Sequence, residues 1–288
     1  MGALFNMKVL VLGGQGMAGH VIKEYFTKDP KYQVTYTSRD PNDKKALYLD
    51  VTDLTSLEEI MDKVKPDITI NCIGILNDRA SDNTKLAFQV NSVFPHQLVK
   101  LTERNNGKLI HISTDCVFSG VKGDYTEDDI PDSTTIYGQS KHLGEIISEK
   151  HLTIRTSIIG PELKDDGIGL FLWFMKQKGE IKGYEKVLWN GVTTLELAKA
   201  LETMVQKNIT GLYHLGSEEK ISKSALLKLI SEIFEKNDVE IIPDSSIVLD
   251  RTIKNRRSDF KYQVPTYEKM LVELREWMRN KPSNRPID

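Results

Sequence analysis

The run Lys8-Val9-Leu10-Val11-Leu12-Gly13-Gly14-Gln15-Gly16-Met17-Ala18-Gly19, continuing into His20-Val21-Ile22-Lys23-Glu24-Tyr25-Phe26, decides the fold. A short β-prone run enters a glycine turn, and the turn enters residues with helical spacing. Strand, glycine turn and helix in this order are the layout of a dinucleotide-binding βαβ unit. Gly13 permits the tight turn. Gly16 lets the backbone approach a pyrophosphate resting on the free N–H groups of the helix N-terminus. Gly19 lets helix and strand pack closely. The spacing is G-x-x-G-x-x-G rather than G-x-G-x-x-G, so the placement between strand and helix carries the reading. The fold class implied is α/β, a Rossmann-type doubly wound parallel sheet.

Working outward, a second strand, Gln33 to Thr37, ends at Ser38-Arg39-Asp40. In such units a carboxylate at this strand end favours a free ribose 2′-hydroxyl, and an arginine accommodates a 2′-phosphate. Ser38-Arg39 leans to NADP(H); Asp40 keeps NAD(H) as the alternative. Leu47 to Asp53 reads as a short strand turning at polar residues. Asp50 and Val51 are placed against the adenine, and Asp53 or Thr52 caps a helix from about Leu54 to Val64. Asp67 to Ile75 is a nearly continuous apolar run, as expected of a central parallel strand covered on both faces. Its end, Cys72-Ile73-Gly74, falls on the same sheet edge as the glycine turn if crossovers are right-handed. Asp82 to Asn105 reads as one long helical stretch, with Asn91 facing inward and a kink at Pro95.

A second decisive stretch is His111-Ile112-Ser113-Thr114-Asp115-Cys116-Val117-Phe118, followed by Tyr137-Gly138-Gln139-Ser140-Lys141. Lys108 to Ser113 reads as a buried strand ending in small polar residues. Tyr137 and Lys141 lie one turn apart on one helix face. An ammonium beside a phenol lowers its pKa and makes it a better acid or base near neutral pH. The Thr114 hydroxyl at the strand end could polarise a carbonyl held between them. Surface helices carry a Tyr-x-x-x-Lys pair by chance, so the pair has weight only together with the glycine turn.

The 288 residues can bury a large core, and the formal net charge of −2 gives no sign of a nucleic-acid or membrane partner. Cys72 and Cys116 sit in apolar runs and read as reduced, half-buried thiols, which fits a cytoplasmic location. The apolar runs are far below the roughly 18 residues of a membrane span, and Met1 to Asn6 does not read as a signal peptide. No His, Cys and Asp grouping has metal-ligand spacing, so no metal is expected.

The C-terminal part reads as a smaller substrate-binding lobe. We expect the dinucleotide-binding domain over residues 1–160, with 192–216 returning to it, and the lobe over most of 161–288. Phe171, Trp173, Phe174 and Tyr184 read mostly as lobe core. Thr194 to Gln206, Ser222 to Glu235 and Tyr267 to Met278 show helical periodicity. Gly211 to Leu215 reads as a strand in which His214 is structural, and Val239 to Pro243 as a short strand. Asn280 to Asp288 reads as a mobile polar tail.

Taken together these motifs resemble the extended short-chain dehydrogenase/reductase superfamily, and within it the dTDP-4-dehydrorhamnose reductase branch. The matching pieces are GGQGMAG at 13–19, Asp50-Val51, Cys72-Ile73-Gly74, Val90-Asn91, Ser113 to Phe118, the acidic loop Tyr125 to Pro131, Tyr137-x-x-x-Lys141 and Leu152 to Thr156. The resemblance implies a reductase of nucleotide-diphosphate sugars in surface polysaccharide biosynthesis, with Thr114, Tyr137 and Lys141 catalytic. It implies that Gly13, Gln15, Gly16, Met17 and Gly19 hold the cofactor's phosphates. Ser38, Arg39, Asp50 and Val51 would hold its adenosine half. Cys72, Ile73, Gly74, Asn91, Ser113, Ile158 and Tyr137 would also bind the cofactor, and Lys141 would hold its nicotinamide ribose. Thr114, Cys116, Phe118, Tyr137, Asn190 and Arg251 would meet the substrate, Arg251 near its diphosphate. A homodimer is compatible with the resemblance.

Two positions depart from the branch. Cys116 stands where it usually has tyrosine, and Ile158 where it usually has tryptophan. The stretches 155–163 and 169–194 look more like reductases of UDP-linked 4-keto-6-deoxy amino sugars. The competing readings are an epimerase of the same superfamily and a non-catalytic NADP-binding subunit similar to the β subunit of methionine adenosyltransferase. A dehydratase is disfavoured because no Glu follows Asp115.

Overall fold

A computed structural model of the chain describes residues 6–280. The expected tail beyond Asn280 and the first five residues lie outside the described residues. The chain runs β1 (Met7–Leu12), α1 (Met17–Thr27), β2 (Tyr32–Ser38), β3 (Leu47–Tyr48), α2 (Leu54–Val64) and β4 (Ile68–Asn71). It continues through α3 (Asn77–Asp82), α4 (Thr84–Phe88), α5 (Phe94–Arg104), β5 (Lys108–Thr114), α6 (Ile136–Leu143), β6 (Leu152–Thr156), β7 (Ile158–Ile159) and α7 (Leu170–Lys176). The remainder is β8 (Gly179–Trp189), β9 (Val192–Thr193), α8 (Thr194–Gln206), β10 (Gly211–Leu215), β11 (Ile221–Ser222), α9 (Lys223–Ile233), β12 (Val239–Asp250) and α10 (Tyr267–Arg279).

Seven parallel strands form the main sheet in the order β10-β6-β5-β4-β1-β2-β3. The order reverses at β1, so helices cover both faces. The alternation along β1 shows how. Val9 and Val11 join one core with Ile22 and Phe26 of α1 and Leu197, Leu201 and Met204 of α8. Leu10 and Leu12 join a second core with Leu57 and Met61 of α2 and Phe94 and Leu98 of α5. A strand buried on both faces must be apolar at successive positions, which is why it reads as a continuous apolar run. Asp53 caps α2, accepting from the Thr55 and Ser56 N–H groups.

Three expectations need correction. The stretch 82–105 is one continuous helical run, but only from Thr84 to Arg104 and not as a regular α-helix. Asn83 leaves helical geometry and caps α4 with its side chain, and a π-helical turn at Gln89–Val93 joins α4 to α5. Pro95, which has no N–H to donate, follows directly on that turn, where the regular α-helical ladder is already interrupted. The strand expected over 67–75 pairs only over Ile68–Asn71, after which the chain turns to meet Asn91. Val239 begins a twelve-residue strand rather than a short one, because β12 pairs in parallel with the long β8. The pairing is irregular between Asp244 and Val248, and β12 is an edge strand, where Pro243 is tolerated. β11, β8 and β12 form a separate three-stranded sheet, and β7 pairs with β9.

Candidate active site

The glycine turn packs its own backbone closely at the start of α1. Gly13 has φ +78°, a left-handed conformation that favours glycine, and a Cβ on Gly19 would stand 2.2 Å from the Gly13 carbonyl oxygen. The N-cap of α1 is Gly16, which supplies no side-chain acceptor, and the first turn holds no acidic residue. Neither the N-cap nor the first turn of α1 thus offers a side-chain acceptor to the positive end of the helix. Met17 is the first residue of α1. Gln15 donates its amide to Asp43, which also accepts from the Tyr36 hydroxyl at 3.0 Å, tying the turn to the loop after β2. At the end of β2, Ser38 accepts the Asp40 N–H at 3.0 Å, and Arg39 is exposed. Arg39 lies near enough to help hold the Asp50 carboxyl below its usual range, though the hydrogen bonds from Thr52 do more. Val51 is buried in the second core.

The ends of β1, β4, β5 and β6 share one sheet edge: Leu12 lies beside Asn71, Asn71 beside His111, and Thr114 beside Thr156. Thr114 accepts the Cys116 N–H at 3.1 Å and donates to Asp115 at 3.1 Å. Thr135 caps α6, so Tyr137 falls in its first turn and Lys141 one turn on. Gly138 brings this helix onto the strand end. A Cβ there would be 2.1 Å from the Cys116 carbonyl oxygen, so a larger residue would push Tyr137 away from Thr114. Burial drives the Tyr137 phenol well above its ordinary value. Cys116 and Asp115 push it further, and hydrogen bonding with Thr114 pulls it back.

Lys141 is buried and donates to the Ile112 carbonyl at 2.6 Å. Burial lowers its pKa to about 8, against the opposing influence of Glu145 and Cys72. The expectation that its ammonium depresses the Tyr137 phenol does not hold in this arrangement: the amine is drawn to the strand backbone, and burial dominates at the phenol. Behind the strand, Ser113 donates to Glu145 at 2.7 Å. Cys72 and Cys116 are half-buried free thiols, each pushed up to about 12 by burial.

Several residues expected at ligands serve the frame. Asn91 is buried, with its amide fully engaged: its oxygen accepts the Ile75 N–H at 2.8 Å, and its nitrogen donates to Ile75 and Ser140. It fixes the loop after β4, including Ile73 and Gly74, against α6. Phe118 is fully buried and stacked on Tyr125 at 4.1 Å, so it backs the site rather than lining its surface. Asn190 donates to Ser217 and Ile253 and accepts from the Ile253 N–H, joining three segments distant in the chain. Ile158 is half-buried on β7 against the first core. Arg251 donates to the Phe118 carbonyl at 3.0 Å, and its guanidinium lies 3.8 Å from the Cys116 sulfur. It therefore lies against the turn that follows β5.

Sequence reading missed Lys223 at the start of α9. Burial lowers its pKa, and its charge and that of Arg251 partly restrain the burial-driven rise of Asp115. It also missed the Asn71–His111 pair. A lone amide in ITINCIGI and a lone imidazole in KLIHIST were the available signals. Among the described residues, no group of three His, Cys, Asp or Glu side chains could hold a metal ion, and no helix is long and apolar enough to cross a membrane.

Residues 7–279 match the family described as RmlD substrate binding domain. The chain belongs to this family. A relative named dTDP-4-dehydrorhamnose reductase, from Aggregatibacter actinomycetemcomitans, is 26% identical over 227 residues, 75% of this chain and 75% of that protein. Methionine adenosyltransferase 2 subunit beta of Bos taurus is 23% identical over 270 residues, 88% of this chain and 80% of that protein. Among solved structures, dTDP-4-dehydrorhamnose reductase from Bacillus anthracis in complex with NADP superposes with a TM-score of 0.80 at 21% identity. That match covers 94% of this chain and 99% of that one. The superposition shows that the two chains share their fold.

Proposed function

We propose that the chain is an NADP(H)-dependent reductase of the 4-keto group of a nucleotide-linked 4-keto-6-deoxyhexose. The observation that carries this is the convergence of Thr114, Tyr137 and Lys141 on the sheet edge that also presents the uncapped N-terminus of α1. The glycine turn fits a dinucleotide diphosphate: its close approach excludes a Cβ at Gly19, the N-cap of α1 makes no side-chain hydrogen bond, and the first turn holds no acidic residue. Gly13, Gly16 and the first turn of α1 would hold that diphosphate, and Ser38 and Arg39 the 2′-phosphate. When bound, the cofactor supplies the hydride.

The chain's own residues supply the rest. Tyr137 delivers a proton to the oxygen of the ketone. Its raised pKa keeps the phenol protonated before reaction, as a proton donor requires. Thr114 orients that oxygen from the strand end. Lys141 meets the ribose beside the nicotinamide when it leaves the Ile112 carbonyl. Arg251 and Lys223 place positive charge near Asp115, which suits an anionic substrate. Family membership and the relative named dTDP-4-dehydrorhamnose reductase support the reaction class. For the sugar, Ile158 and Cys116 favour a UDP-linked 4-keto-6-deoxy-N-acetylhexosamine over dTDP-4-dehydrorhamnose.

The similarity to a methionine adenosyltransferase subunit keeps a second reading, an NADP-binding subunit without turnover, in contention. NADPH oxidation in the presence of dTDP- and UDP-linked 4-keto-6-deoxy sugars, with products identified by NMR, separates the two. Binding without consumption of NADPH on every sugar nucleotide would favour the subunit.

A further inference from the structure

His111 and Asn71 are paired across adjacent strands, both fully buried, and no part of the mechanism above uses them. Their hydrogen bonds have a fixed direction. The Asn71 carbonyl oxygen accepts the Ile73 backbone N–H at 3.1 Å, which a backbone amide can only donate. The Asn71 amide nitrogen therefore faces His111 Nδ1, at 3.1 Å, and donates to it. Nδ1 carries the lone pair, so the proton of the neutral imidazole sits on Nε2. Nε2 lies 3.4 Å from Lys141 Nζ. Nζ already donates to the Ile112 carbonyl at 2.6 Å. An ammonium has only donors and would meet the Nε2–H donor to donor. A free amine has a lone pair and can accept it.

We propose that His111, with its tautomer fixed by Asn71, is a positioning residue that holds Lys141 against the Ile112 carbonyl and favours its free-amine form. The other groups facing Lys141 are Cys72 just after β4 and Glu145 just beyond α6. Glu145 favours the ammonium, but it is engaged by Arg155, Ser113 and His142. The imidazole is kept neutral, its pKa well below the usual value, first by burial and then by the charges of Lys141 and His96. The pKa of Lys141, down to about 8, agrees with the direction of the proposal, with burial as its largest cause. The inference rests on the reductase reading only for its consequence in turnover: the pH dependence of kcat should shift with the Lys141 midpoint.

The test uses the free protein. With 13C-lysine labelling, the Lys141 signal is assigned by its loss in Lys141→Met, which separates it from Lys108, also lowered to about 8. In His111→Phe, which removes the donor, the Lys141 midpoint should rise by about one pH unit or more. In His111→Gln, whose amide N–H can replace Nε2–H, it should stay close to the wild-type value. An unchanged midpoint in His111→Phe overturns the proposal. Should that variant not fold, the 15N spectrum of His111 in the unmodified protein decides: the Nε2–H tautomer supports the proposal and the Nδ1–H tautomer overturns it. Neither readout needs a sugar or turnover. A chain inactive on every sugar nucleotide would sink the reductase reading and leave this result standing.

Discussion

Arg155 and Glu145 form a two-pronged ion pair, with Nε and Nη2 each 2.8 Å from a different carboxylate oxygen and both side chains 2% exposed. The pair ties β6 to the end of the helix that carries Tyr137 and Lys141. Ser113 joins it from β5, and Arg155 Nη1 reaches His214 on β10 at 3.3 Å. One buried charge pair thus fixes three strands and the helix that carries Tyr137 and Lys141 relative to one another.

Removing one partner leaves the other charged and buried. Arg155→Met should therefore destabilise the fold by about 3–5 kcal/mol, measured by urea unfolding at neutral pH. A loss below about 1 kcal/mol would show that water relieves the stranded carboxylate. The pH dependence has a defined sign. The Arg155 and His142 hydrogen bonds hold Glu145 down to about 2 in the folded chain, against the contrary effect of burial. A depressed carboxyl pKa stabilises the fold above the unfolded value, and that stabilisation is lost as pH falls toward about 2. The acid limb of stability should flatten in Glu145→Gln.

The cofactor prediction rests on the end of β2. Arg39 is exposed and free to turn toward a 2′-phosphate, while Ser38 is fixed by Asp40. The chain should bind NADPH more tightly than NADH, and Arg39→Ala should weaken NADPH alone. Titrations by intrinsic fluorescence with both cofactors check this. Equal losses for the two, or a native preference for NADH, would move the recognition of the ribose to Asp40 or Asp50.

The substrate prediction rests on Ile158, half-buried against the first core where the branch usually carries tryptophan. A UDP-linked 4-keto-6-deoxy-N-acetylhexosamine should be reduced with a kcat/KM at least equal to that for dTDP-4-dehydrorhamnose. Side-by-side NADPH oxidation with both compounds measures it. A large preference for the dTDP compound would return the chain to the rhamnose assignment.

The glycine turn and the Tyr-Lys helix were legible in the sequence because each is local: its residues are neighbours in the chain, and its period or turn chemistry is its meaning. The long-range devices were not. Asn71 and His111 meet only through the register of two parallel strands, and neither residue's neighbours announce it. Arg155 and Glu145 are close in the chain but on opposite sides of a strand entry, so their pairing needs the fold. Phe118 and Asn190 were placed at the substrate by resemblance. A motif gives position along the chain and not the direction of the side chain, and both turn into the frame. The depressed phenol pKa expected for Tyr137 failed for a related reason: one turn of helix puts two side chains on one face, yet Lys141 is captured by Ile112 across the helix–strand contact.

Tyr137→Phe tests the whole functional reading, because it removes one oxygen and leaves the ring. If the phenol is the proton donor, kcat should fall by roughly 10²–10⁴, the usual contribution of a positioned general acid. NADPH affinity should change little, since the phosphates rest on the turn before α1. Lys141→Met should lose rate and also weaken cofactor binding, because it removes a donor near the ribose. The double variant should be no worse than about the poorer single, because groups acting as one unit are not additive. Stopped-flow turnover and NADPH titration on the three variants give all the quantities needed. Near-normal kcat in a folded, NADPH-binding Tyr137→Phe would mean that Tyr137 and Lys141 only pack the helix onto the strand, and the proton would have to come from elsewhere. Asp115 is the group to examine next, because burial raises its pKa and Thr114 donates to it at 3.1 Å.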